Sequence, residues 1–137
     1  MMDVFPFILF GILTLLGILM VVYVAWSQHG RKKVPERVVR RVRSEWKHML
    51  SMSDPSRRVL EAEKVADGLL KDMGYPGSFG ERLKAVGPRF KNIDKIWGAH
   101  KLRNRIAHET GINVSDREAD RAVQTFAGIL SSFGIRV

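Results

Sequence analysis

The chain has 137 residues, with 23 lysines and arginines against 14 aspartates and glutamates and a formal net charge of +9. There is no cysteine, which excludes a disulfide framework, a thiolate zinc or iron–sulfur site and a cysteine nucleophile. The length allows one domain, and the apolar residues concentrate at the N-terminus, leaving a leaner, basic remainder.

Val4 to Trp26 is free of charge, and Thr14 is its only aliphatic hydroxyl. As a helix this run is about 35 Å long, enough to cross a bilayer core of about 30 Å. Tyr23 and Trp26 stand at its C-terminal end, where aromatic rings favour the interface. Pro6 stands near its start, where a missing backbone donor costs least. Ala25-Trp26-Ser27 faintly resembles a signal-peptide cleavage site, but Asp3 replaces the basic n-region and the apolar run is too long. A buried core helix apolar on every side does not suit a domain of this size. The sequence therefore predicts a retained transmembrane anchor. Gly11 and Gly17 are six apart, which is not the spacing of a GxxxG dimer motif.

Arg31, Lys32, Lys33, Arg37, Arg40, Arg41 and Arg43 follow the span, opposed by Glu36 alone. Only Asp3 and the terminal amine precede it. The positive-inside rule then places the N-terminus outside and the remainder in the cytoplasm, on the inner membrane. Residues 44–137 carry 16 basic and 12 acidic side chains, so the domain itself is only mildly basic. The basic stretch reads first as a topology determinant, with Arg31, Lys32, Lys33, Arg37, Arg40 and Arg41 against anionic headgroups. A nucleic-acid patch is the sharper alternative. The expected organisation is an anchor over 1–28, a basic juxtamembrane segment over 29–43 running into the first helix, and a helical domain over 44–137.

The soluble part reads as an all-α bundle with no strand signal. Pro35 opens a helix whose stripe is Val38, Val39, Val42, Trp46, Met49 and Leu50. Asp54-Pro55 is an N-cap followed by a first-turn proline. Val59, Leu60, Ala62, Val65, Ala66, Leu69, Leu70 and Met73 recur at helical spacing until Gly74. Ser78 with Glu81 makes a capping box before a short helix carrying Leu83 and Val86. Gly87-Pro88 breaks it. Asn92 or Pro88 opens the next helix, with Ile93, Ile96, Ala99, Leu102 and Ile106 on its apolar side. Ser115 with Glu118 makes a second capping box, and Ala119, Val123, Phe126, Leu130 and Phe133 form the last apolar stripe, ending at Gly134. Four principal helices and a short one, with short connections, imply antiparallel neighbours.

The helix from Ile93 repeats polar residues every four positions: His100, Asn104 and His108, flanked by Lys101 and Arg103. One metal ion cannot bind His100 and His108, which lie about 12 Å apart along the axis. No nucleophile elbow or phosphate-cradling loop is present, and Gly77-Ser78-Phe79-Gly80 lacks the P-loop lysine. Metal-free phosphodiester chemistry fits the residue types. A histidine can take a proton from a ribose 2′-hydroxyl, and an arginine fork can hold the phosphate. His108 near a helix C-terminus is favoured in its protonated form. The structural alternative is that Asn104 and His108 bond each other or a neighbouring loop, with Arg103 paired to Glu109 or Asp116. His29 and His48 read as interfacial or surface residues. Trp46 and Trp97 read as core or dimer contacts rather than stacking platforms.

The stretch Ala99-His100-Lys101-Leu102-Arg103-Asn104-Arg105-Ile106-Ala107-His108-Glu109 resembles the signature of HEPN domains. These are small helical bundles whose motif is an arginine, usually a polar residue after it, and a histidine some four to six residues on. Arg103, Asn104 and His108 occupy those positions, and the resemblance runs from about Ser44 to Phe133. It implies an antiparallel four- to five-helix HEPN-like bundle, which with the apolar N-terminal run gives an all-α chain of one transmembrane helix followed by that bundle. Active members of that family are metal-independent endoribonucleases that dimerise with two motifs across a cleft, and others serve as binding or assembly modules. The resemblance assigns phosphate binding to Arg103, acid–base work to His108 and orientation to Asn104, with Lys101, Arg105 and His100 as RNA or phosphate contacts. No metal and no cofactor are implied. The partners expected are the lipid bilayer, RNA and a second copy of the chain. The membrane anchor departs from the best-known toxins of the family. The alternative function is a non-catalytic module at the inner face of the membrane that holds a protein partner, nucleotide or RNA. A third reading makes the basic stretch a lipid-surface sensor. Catalysis requires Arg103 and His108 to be exposed and to converge; the module has them buried or internally paired.

Overall fold

The computed structural model describes residues 5–29 and 33–137. Six α-helices and one 3-10 turn are present among the described residues, and no strand. The helices are α1 (Phe5–His29), α2 (Glu36–Leu50), α3 (Pro55–Asp72), α4 (Phe79–Val86), α5 (Ile93–His108) and α6 (Asp116–Ser132). The chain divides between residues 32 and 33 into two units. Val4, at the expected start of the span, and Arg31 and Lys32, expected at the membrane surface, lie outside the described residues.

α1 is long and apolar enough over Pro6–Val24 to cross a membrane. The one aliphatic hydroxyl of that span is satisfied within the helix. Thr14 Oγ1 donates to the carbonyls of Phe10 at 3.0 Å and Gly11 at 2.9 Å. The hydroxyl is therefore paired without any partner outside the helix.

The second unit is an all-helical bundle that begins before the expected boundary at residue 44. α2 packs on α3, and its stripe Val38, Val42, Trp46 and Met49 is buried. A cut at residue 44 falls inside α2 and removes Val38 and Val42 from the core. Pro35 sits one residue before the helix rather than in its first turn, and its carbonyl accepts from Val38 and Val39. Leu50, expected on the apolar stripe, is exposed. It lies about 100° around the helix from Met49, past the edge of the buried sector.

α3 is the central helix and touches α2, α4, α5 and α6. Asp54 caps it through Oδ1, which accepts from Ser56 and Arg57. Gly74 ends it at φ +88°, with Tyr75 N–H on the Leu70 carbonyl and Gly74 N–H on that of Lys71. This is the Schellman closure that only glycine adopts without strain. Gly134 ends α6 in the same way, with Ile135 N–H on the Leu130 carbonyl and the Ile135 side chain buried over the helix end. Gly87-Pro88 does not break the chain outright but continues it as a 3-10 turn over Gly87–Arg89.

Both capping boxes form. Ser78 donates its backbone N–H to Glu81 Oε2 at 2.6 Å, and the backbone N–H and hydroxyl of Ser115 donate to Glu118 Oε2 at 3.0 and 2.7 Å. The backbone donor and then the hydroxyl of Ser78 hold the Glu81 carboxyl below its ordinary value, and the hydroxyl and then the backbone donor of Ser115 do the same for Glu118. A carboxyl depressed in the fold stabilises it above the unfolded value of 4.5, and that contribution is lost as pH falls through the lower native value. Glu81→Gln with Glu118→Gln should therefore flatten the acid limb of melting temperature against pH below about 4.5 while leaving the neutral limb parallel. Thermal melts across pH 2 to 7 measure this, and an unchanged acid slope counts against the account.

Candidate functional site

α5 turns about 100° per residue, so its polar positions divide between two sides of the helix. Ile96 and Ala99 are buried, and Ile93, Leu102 and Ile106 are half-buried beside them. His100 and Arg103 fall inside that apolar sector and Asn104 at its edge, where α5 meets α3. Lys101, Arg105 and His108 lie within about 60° of one another on the solvent side, and all three are exposed.

The first group closes on a residue the motif did not include. Glu63 of α3 is 4% exposed. Its Oε2 lies 2.8 Å from His100 Nδ1, and its Oε1 lies 3.1 Å from Arg103 Nε. Asn104 Nδ2 lies 3.2 Å from His100 Nε2, and Arg103 Nη1 donates to Asn104 Oδ1 at 3.3 Å. The donor pattern fixes the tautomer. Arginine can only donate, so Asn104 Oδ1 accepts and its amide N–H faces Nε2. Nε2 then accepts, and Nδ1–H donates to an ionised Glu63. The Arg103 Nε–H is not aimed at the carboxylate and makes no hydrogen bond, so that contact is coulombic.

Phe79 and Trp97 wall the histidine edge-on, with ring centroids 5.2 and 5.9 Å from His100. Burial pushes the Glu63 carboxyl above its ordinary value, and the His100 hydrogen bond and the Arg103 charge pull against that rise. An ion pair this dry is sensitive to loss of either partner, because the other charge stays buried.

The structure thus joins Arg103 and Asn104 with His100 and sets His108 apart. Arg103 and His108 differ by about 140° around α5 and about 7.5 Å along it. His108 makes no side-chain hydrogen bond or ion pair among the described residues. Arg105 meets Glu109 at 3.5 Å on the surface, and Lys101 has no ion pair among the described residues. His100, expected among the phosphate contacts, has both ring nitrogens engaged. Neither of the acids expected to pair with Arg103, Glu109 and Asp116, does so; Asp116 binds Arg58 instead. Among the described residues no cluster of three or more His, Asp or Glu is placed to hold a metal ion.

Glu63 carried one sequence signal. It falls about 40° from Val59 and about 20° from Leu70 on the α3 wheel, inside the apolar arc. A carboxylate there is buried once α3 is surrounded, and it then needs a cation.

A second concavity lies between α5 and α6. It has a volume of about 680 Å³. Ile96, Ala99, Leu102 and Ala122 line it with apolar surface, and Lys91, Lys95 and Arg121 line it with three cations against one carboxylate, Glu118, which is engaged in its capping box. Comparison with protein-family models, curated proteins and solved structures finds no match for this chain.

Glu63→Gln leaves Arg103 without its counter-charge and should cost about 2 to 3 kcal/mol, less than a fully dry pair because part of Arg103 stays in water. Adding Arg103→Gln should restore part of that loss, since both charges are then gone. Urea unfolding of the two single variants and the double variant measures the cycle. Strict additivity would show that the pair is not coupled.

Proposed function

We propose that this chain is a membrane-anchored, HEPN-like helical module that binds a partner and does not cut RNA. The commitment of the Arg103 guanidinium to Glu63 and Asn104, away from His108, carries this reading. A phosphate reaching the exposed part of Arg103 would meet a guanidinium whose charge is already balanced by Glu63 at 3.1 Å, which weakens its pull on an anion. His100 cannot serve as base while Asn104 caps its one free lone pair. His108 is open to solvent but has no carboxylate or carbonyl to orient it. The α5–α6 groove is a surface for the partner. Its apolar surface and cationic lining fit an acidic amphipathic helix. The apolar run in α1 and the basic residues after it support a single-pass anchor in the inner membrane, N-terminus outside and bundle in the cytoplasm.

The second reading is a metal-independent endoribonuclease formed by a homodimer. The exposed strip of Lys101, Arg105 and His108 favours it, because two cations beside an accessible imidazole suit a phosphodiester. In that reading a second copy supplies the phosphate-binding arginine.

The full chain in lipid nanodiscs, incubated with mixed RNA in excess EDTA beside a His108→Ala version, separates the two. The expected result is no cleavage above background by either protein, with the helical content of both intact. Cleavage by the unaltered chain that is lost in His108→Ala would overturn the module and establish the ribonuclease.

A further inference from the structure

α2 is a core helix of the bundle, so Arg37, Arg40, Arg41, Arg43 and Lys47 are carried on a packed helix. They are not equivalent. Arg41 is already used. It lies 2.8 Å from Asp72 of α3 and 3.6 Å from Glu45. Arg43 Nε donates to the Arg136 carbonyl at 3.3 Å. Arg37, Arg40 and Lys47 have no hydrogen bond or ion pair among the described residues. Together with Ser44 they span about 80° of α2, directly opposite Val38, Val42 and Met49. All four are exposed. Glu36 is the one acidic residue on that side, and Glu45 is turned to Arg41.

We propose that this face, Arg37, Arg40 and Lys47 around Ser44, docks the bundle on anionic phospholipid headgroups. The proposal rests on α1 being a membrane anchor. Three observations favour lipid over nucleic acid. Six residues separate His29 from Glu36, and an extended chain of that length covers about 20 Å, so the face is tethered within reach of a headgroup layer. Three cations face one carboxylate, Glu36, on that side and none of the three is ion-paired among the described residues, which leaves a net positive face suited to a diffuse anionic surface. Trp46 is buried at 4% exposure and α2 has no other Trp, Tyr or Phe. The only ring exposed beside the face is therefore the small imidazole of His48, a poor platform for stacking a strand of bases. Arg41, expected among the lipid contacts, is excluded because its guanidinium holds α2 to α3.

The absence of cysteine makes a site-specific test direct. Ser44→Cys in the full chain carries an environment-sensitive fluorophore at the centre of the face. Gln124→Cys, exposed on α6 at the α5–α6 groove, is the control position. Both proteins are placed in nanodiscs of phosphatidylcholine alone or with phosphatidylglycerol, and quenching by neutral acrylamide is read.

The label at Ser44 should be shielded in the anionic discs and open in the neutral ones, with Gln124 open in both. Arg37→Gln, Arg40→Gln and Lys47→Gln together should reopen it, lowering the docked-to-undocked ratio about 100-fold. Arg41→Gln should not reopen it, provided helical content is unchanged. Equal quenching in both lipids overturns the proposal, as does shielding that survives the triple change. So does shielding by added RNA but not by phosphatidylglycerol. Failure of the chain to co-elute with discs overturns the anchor itself, and is distinguished by that readout.

Discussion

A carboxylate inside the central helix sets most of this structure. α3 is packed by α2, α4, α5 and α6, which leaves it little face for water. Glu63 lies on one of the covered sides. An ionised carboxylate there must be matched by charge and hydrogen bonds, or the fold loses several kcal/mol. His100 and Arg103 supply the match, and Asn104 completes it. The azimuth of α5 follows, because only one rotation brings positions 100 and 103 to Glu63. That rotation turns Lys101, Arg105 and His108 outward. The division of the motif between an internal network and an exposed strip is thus a consequence of where one glutamate is buried.

The same device recurs at the other contacts of α3. Asp67 takes Arg82 of α4 at 2.6 Å, and the Arg82 Nε donates to the Tyr75 carbonyl at 2.8 Å. Arg58 bridges Asp116 and Asp120 of α6 at 2.6 and 2.7 Å. Asp72 takes Arg41 of α2. Each neighbour of α3 is therefore joined to it by charge as well as by apolar contact. The half-exposed pairs add little stability. The drier ones act on register, since a helix displaced by one turn would leave a charge inside without a partner. The apolar core of Phe126, Met49, Leu69, Leu70 and Leu83, all fully buried, supplies the larger share of the free energy.

What the sequence made legible was local. Asp54-Pro55, the Ser78/Glu81 and Ser115/Glu118 boxes, Gly74 and Gly134 each act within a few residues, and each end formed as its chemistry dictates. The stripe from Val38 to Met49 was legible as a helix face. That it begins the bundle was not, because the basic residues between its apolar positions drew the boundary to residue 44. Glu63 was missed for a different reason. Its partners are 37 and 40 positions further along, and no periodicity within α3 or α5 specifies that pairing. Arg82 is similar: an arginine buried to 8% in a short helix that reads as surface. The motif residues themselves were found, but a motif spacing does not say which member faces inward.

Glu63 and His100 are joined in the folded protein at 2.8 Å, and the arrangement of the rest of the site follows from that contact. The direct measurement is the nitrogen spectrum of the imidazoles at neutral pH. His100 should show a protonated Nδ1, a bare Nε2 that accepts a hydrogen bond, and a slowly exchanging ring proton. His108, open to solvent in the same molecule, should show fast exchange. A His100 signal that averages like that of His108, or one with the proton on Nε2, would contradict the network and return Arg103 to the list of groups free to bind a ligand.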